Sequence, residues 1–102
     1  MAYTVHKYAL SPGRNNVTIP SDYTVLDAQF QHSGYGNDLA LWAYVDAESE
    51  RRVLTFEVCP TGGAAPRRVG RYPLFVATAQ DPKNGTVWHV FNVPAPGQYV
   101  GV

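Results

Sequence analysis

Little in this chain could anchor a metal, a disulfide or a membrane span. It has one cysteine, Cys59, so no internal disulfide can form, which fits a reducing compartment. The histidines His6, His32 and His89 are far apart, and no pair has metal-ligand spacing. No metal or other cofactor is expected. No run approaches the ~18 apolar residues of a membrane helix. Met1-Ala2-Tyr3-Thr4-Val5 lacks the basic segment and apolar core of an export signal, so the protein is expected to stay where it is made. An excess of one charge is missing too. Eight basic and eight acidic side chains cancel, which leaves no global field to steer the chain onto extended nucleic acid or an anionic membrane. Also absent is any apolar stripe at helical spacing over about ten residues or more, which excludes a long helix.

What is present is an apolar, aromatic, turn-punctuated chain. With 102 residues, 45% of them hydrophobic, it has the size and composition of one globular domain. At that length it buries roughly two-thirds of the surface its unfolded form exposes. The strongest strand signal is Thr86-Val87-Trp88-His89-Val90-Phe91, β-branched and aromatic on both parities and so expected to be buried on both faces, and its counterpart is Leu39-Ala40-Leu41-Trp42-Ala43-Tyr44-Val45. In the second, Leu41, Ala43 and Val45 point one way and Ala40, Trp42 and Tyr44 the other. Two apolar faces imply a sheet folded over on itself, or a face that receives a ligand or partner.

The remaining segments supply partners for these two. Tyr3 to Leu10 alternates, with Val5 and Ala9 on one side and Thr4, His6 and Tyr8 on the other. Val17-Thr18-Ile19 is a short strand stopped by Pro20. Leu26, Ala28 and Phe30 share one face against Asp27, Gln29 and Gln31, so that face is expected on the core. A flexible Ser33 to Asp38 loop should follow, with His32 at its edge. Leu54, Phe56 and Val58 are the apolar side of a Val53 to Cys59 strand. Leu74 to Ala79 is a strand joined to the central one by Asp81-Pro82-Lys83-Asn84-Gly85, where Gly85 can take the left-handed conformation that returns the chain. The reading is an all-β domain of about six or seven antiparallel strands over residues 1–93, a small barrel or a two-sheet sandwich. A Pro/Gly-led tail, residues 94–102, follows.

Candidate chemistry is sparse. His89 could act as a general base, since its pKa is near neutral; a structural histidine giving one ring hydrogen to a carbonyl needs no further partner, and no carboxylate, serine or cysteine sits at a motif spacing from it. Cys59 reads as a buried inert thiol. The longest irregular stretch, Pro60 to Arg71, holds the most suggestive polar group. Thr61, Gly62 and Gly63 can expose successive amides to an anion, and Arg67, Arg68 and Arg71 are forked donors suited to phosphate. No acidic residue lies between Val58 and Gln80, so these arginines give that window a local charge of plus three. Solvated arginines on a glycine-proline loop are the plainer reading. Trp42, Tyr44, Trp88 and Phe91 could stack on a base, although aromatics on central strands usually build core, where Trp42 and Trp88 are expected.

Lys7-Tyr8, the Ile19-Pro20 stop, Leu41-Trp42-Ala43-Tyr44-Val45-Asp46, Thr61-Gly62 and Trp88-His89-Val90-Phe91, in that order, resemble the motifs of a family of small uncharacterised bacteriophage proteins. The similarity runs from Tyr3 to Phe91. Two features depart from the family pattern: Pro60 and Gly63 flank the Thr-Gly pair where a glycine and a histidine are usual, and the tail after Val93 is additional. The resemblance implies a phage origin and a place in the host cytoplasm, and it assigns no catalytic residue. The expectation is a non-enzymatic accessory protein that binds a host protein or an anionic nucleotide-like molecule, as in sequestration of an antiviral signal. The alternative is a small virion or assembly protein forming homo-oligomers.

Overall fold

The alternation that puts Leu54, Phe56 and Val58 on one side of their strand selects the side that packs, and the same rule builds the rest of the fold. The structure, a computed structural model, describes residues 1–33 and 36–95. The side chain of His32, the Gly34-Tyr35 part of the expected loop and the tail from residue 96 onward lie outside the described residues. Seven strands follow one another: β1 (Tyr3–Leu10), β2 (Gly13–Pro20), β3 (Tyr23–Ser33), β4 (Gly36–Asp46), β5 (Arg51–Pro60), β6 (Leu74–Gln80) and β7 (Val87–Val93). They form a three-stranded sheet in the order β1-β4-β3 and a four-stranded sheet in the order β2-β5-β7-β6, all neighbours antiparallel. The architecture is a sandwich, with no closed barrel among the described residues.

The inner faces meet in one apolar core. Leu39, Leu41, Ala43 and Val45 of β4 face Val17 and Ile19 of β2, Leu54, Phe56 and Val58 of β5, and Val90 of β7. In antiparallel strands with one face on a core and one in water, strict alternation decides which side chains are buried, and two β-bulges here shift it. One lies between Val25 and Asp27. Both Val25 and Ala28 thereby reach the core, while Leu26 is squeezed out and left 54% exposed. The expected Leu26-Ala28-Phe30 face is therefore corrected to Val25-Ala28-Phe30. On β1 the core side is the one holding Tyr8 and Leu10, and Val5 is exposed.

The second bulge, between Phe75 and Ala77 on β6, sends Phe75 and Thr78 outward and Ala77 and Ala79 inward. The hairpin after β6 closes as expected. Gly85 has φ 77°, its amide donates to the Asp81 carbonyl at 2.8 Å, and the Asp81 amide donates to the Thr86 carbonyl at 2.8 Å. The β3–β4 strands run further than the sequence indicates, to a Ser33–Gly36 pair. Among the described residues no helix is long and apolar enough to cross a membrane.

Candidate functional site

Strands β5 and β6 are both antiparallel to β7 and flank it, so they run parallel to each other, and the chain must return along the sheet to get from one to the other. The Thr61 to Pro73 segment is that return. It is a strap across the outer face of the four-stranded sheet: Pro66, Arg67 and Val69 share a groove with Arg14, Glu57, Val93 and Pro94. The strap explains why Val93 is buried although its parity points it away from the sandwich core. The length of this irregular stretch is thus a demand of topology.

The strap leaves β5 in a tight turn. Gly62 has φ 84°, and the Gly63 amide donates to the Pro60 carbonyl at 3.0 Å. A Cβ on Gly63 would come within 2.9 Å of Pro60 Cγ, so both glycines are explained by the turn. The Thr61 amide donates to the Val87 carbonyl at 3.1 Å. Two of the three amides of Thr61-Gly62-Gly63 are therefore engaged within the fold. Arg67, Arg68 and Arg71 are exposed, and among the described residues none of them has a carboxylate partner. Arg71 lies over the Tyr72 ring, 5.4 Å from its centroid.

Beside the strap, outward-facing side chains of β5, β7 and β6 line up. Cys59 pairs with His89 and His89 with Thr78, while Glu57 pairs with Phe91 and Phe91 with Phe75. His89 is half-buried on this outer face. Its Nε2 lies 2.7 Å from Thr61 Oγ1 and its Nδ1 lies 3.0 Å from Thr78 Oγ1. The ring thus faces two hydroxyls in place of the backbone carbonyl expected of a structural histidine. In the Ser-His-Asp arrangement a carboxylate holds the far nitrogen of the imidazole. Here a threonine hydroxyl occupies that place, so the row fixes the ring between two neutral hydroxyls.

The Cys59 thiol is buried on the same face. Its Sγ lies 3.8 Å from the His89 carbonyl oxygen, and burial, with a smaller contribution from the Glu57 carboxylate, pushes its pKa up. Glu57 is itself engaged by Arg14, Nη2 to Oε1 at 2.8 Å. No group of three or more His, Cys, Asp or Glu suited to a metal ion occurs among the described residues.

The fold divides the residues singled out from the sequence. Thr61 and His89 are brought together, with Gly62, Gly63, Arg67, Arg68 and Arg71 in the strap that starts beside them. Trp42 and Tyr44 are on the outer face of the other sheet, where Trp42 pairs with Lys7 and Asp27 and Tyr44 stacks on Tyr3 at 5.3 Å. They cannot share a site with His89. Trp42 and Trp88 are each mostly buried, as expected; Trp88 packs against the core, whereas Trp42 is on the outer side of β4. Phe75 and Thr78 belong to the His89 face and were not singled out. Nothing but a polar threonine marks the outward side in Leu74-Phe75-Val76-Ala77-Thr78-Ala79, and the bulge at Val76 breaks the parity that would have placed Phe75.

Residues 1–99 match the profile of a family described as Domain of unknown function (DUF7352), and the chain belongs to that family. No curated protein and no solved structure matches it.

Proposed function

We propose that this member of the DUF7352 family is a non-enzymatic binding module of bacteriophage origin that captures an anionic, nucleotide-like small molecule in the cytoplasm of an infected cell. The observation that carries the reading is the strap: Arg67, Arg68 and Arg71 are exposed and lack carboxylate partners among the described residues, in a window free of acidic side chains. Guanidinium groups in that state can donate paired hydrogen bonds to phosphate oxygens without first giving up an internal ion pair. The strap leaves the sheet at Thr61, whose hydroxyl is in contact with the His89 ring. Phage origin is supported by the ordered motifs from Lys7-Tyr8 to Trp88-His89-Val90-Phe91. Sequestration of a nucleotide signal used in antiviral defence is the role that such a module would fill.

Calorimetric titration with a panel of cyclic and linear nucleotides tests the reading. Wild type should bind at least one at micromolar concentration, more weakly as salt is raised. An Arg67→Ala, Arg68→Ala, Arg71→Ala variant should stay folded and lose that affinity. Absence of binding across the panel would end the nucleotide reading and leave capture of a host protein. A second reading, a homo-oligomeric virion or assembly protein, is favoured by a different surface: Tyr3, Val5 and Tyr44 are exposed on the three-stranded sheet beside β1, which is an edge strand among the described residues. A monomer by sedimentation at high concentration would dismiss it.

A further inference from the structure

We infer that Phe75 and Phe91 form a base-stacking platform next to the strap, so that the ligand is a nucleotide recognised through its base as well as its phosphates. The inference rests on the anion-binding reading of the strap and gives that site a second half. Phe75 is 64% exposed, and apart from Met1 no described large hydrophobic side chain is more so. Single exposed apolar side chains are ordinary. This one is held in place: it is the cross-strand partner of Phe91, with ring centroids 6.1 Å apart and planes 70° apart. In an edge-to-face pair one ring supports the other without covering both its faces. A flat π-surface is thereby left open to water on a rigid sheet, which is the form of surface that single-strand-binding sheets offer to bases.

The surroundings fit a nucleotide better than an apolar protein segment. The next outward-facing pair along the strands is Thr78 and His89; the ring is engaged by Thr61 and Thr78, and the Thr78 hydroxyl retains a hydrogen-bonding site for the edge of a base. On the other side of Phe91 stands Glu57, a carboxylate that would repel phosphate but can accept from an exocyclic amine, and Arg14 already offsets its charge. Arg71, near the end of the strap, is four residues before Phe75 in the chain, and the strap passes Val93, the next outward residue after Phe91. Phosphates would lie toward the strap and the base on the sheet.

The test separates the two halves of the site. ATP, GTP and UTP are titrated into the full chain and compared with inorganic tripolyphosphate, which carries the charge without the base. Wild type should bind at least one nucleotide about tenfold or more tighter than tripolyphosphate, the scale of one base–aromatic stack. Phe75→Ala should remove that difference and leave tripolyphosphate binding unchanged, and Phe75→Trp should restore it. If nucleotides and tripolyphosphate bind wild type equally and Phe75→Ala changes nothing, the platform is refuted while the strap reading stands. If neither class binds, the strap reading fails and the platform with it. If Phe75→Ala abolishes binding of a host protein and no nucleotide binds, the pair is a protein contact and the inference is overturned.

Discussion

Cys59 and His89 face each other across the β5–β7 ladder, the arrangement that would make a thiol reactive if the imidazole reached it. It does not. The ring is taken by Thr61 and Thr78, and the sulfur lies against a backbone carbonyl in a buried position. Because burial raises the thiol pKa, the thiolate fraction at neutral pH falls below that of a free cysteine. Labelling with an aromatic disulfide reagent at pH 7.5 should therefore be slow in the native protein and become rapid with urea unfolding, in step with loss of tryptophan fluorescence. Fast labelling of the folded chain would mean that the thiol is open and activated. Neither the cross-strand contact nor the threonine pair could be read from the sequence, since residues 28 positions apart become neighbours only through register.

Among the elements, the two bulges decide the most. Leu26 reads as a core residue by alternation and is in fact on the surface, so Leu26→Ser should change stability by no more than about 0.5 kcal/mol. Ala28 is fully buried against the β4 side of the core, and Ala28→Leu should cost about 1–3 kcal/mol by overpacking. Urea denaturation of both variants checks the pair, and the reverse order would return β3 to uninterrupted alternation. A further contribution comes from the end of β4. Asp46 Oδ1 accepts from the amides of Ala2 at 2.9 Å and Glu48 at 3.1 Å, and these bonds, the first being the larger effect, hold its pKa below the usual carboxylate value. A group with a lowered folded pKa stabilises fully above its unfolded value, near ~3.9, and that stabilisation is lost as pH falls through the folded value. The urea midpoint should thus drop below about pH 4, and Asp46→Ala should show a shallower drop from a lower plateau.

Strand identity and the β5 and β4 faces were legible because turn residues bound them and because Leu54-Phe56-Val58 and Leu41-Ala43-Val45 keep strict parity; β7, expected to be buried on both faces, buries Val90 and Val93 and leaves His89 and Phe91 partly open, because its outer side is covered only by the strap. The strap was legible as a long segment but not as a crossover. Its purpose depends on β7 inserting between β5 and β6, and that pairing is set by contacts remote in sequence.

For the whole molecule, the sandwich separates two surfaces that the sequence offers as one. Trp42 and Tyr44 lie on the three-stranded sheet, with Lys7 hydrogen-bonded to Gln31 across β4, while the strap, the His89 row and the Phe75–Phe91 pair lie on the four-stranded sheet. Among the described residues, the β1 edge of the first surface has no strand partner and the strap arginines of the second have no carboxylate partner. Any ligand of the anionic kind should therefore touch one face and leave the other unchanged. Backbone amide NMR during a nucleotide titration reads this directly. Shifts should be confined to residues of the strap and its neighbours, Thr61, Arg67, Arg68, Arg71, Phe75 and His89, with Tyr3, Trp42 and Tyr44 unmoved. Shifts centred on Trp42 and Tyr44, or none at millimolar nucleotide, would contradict this.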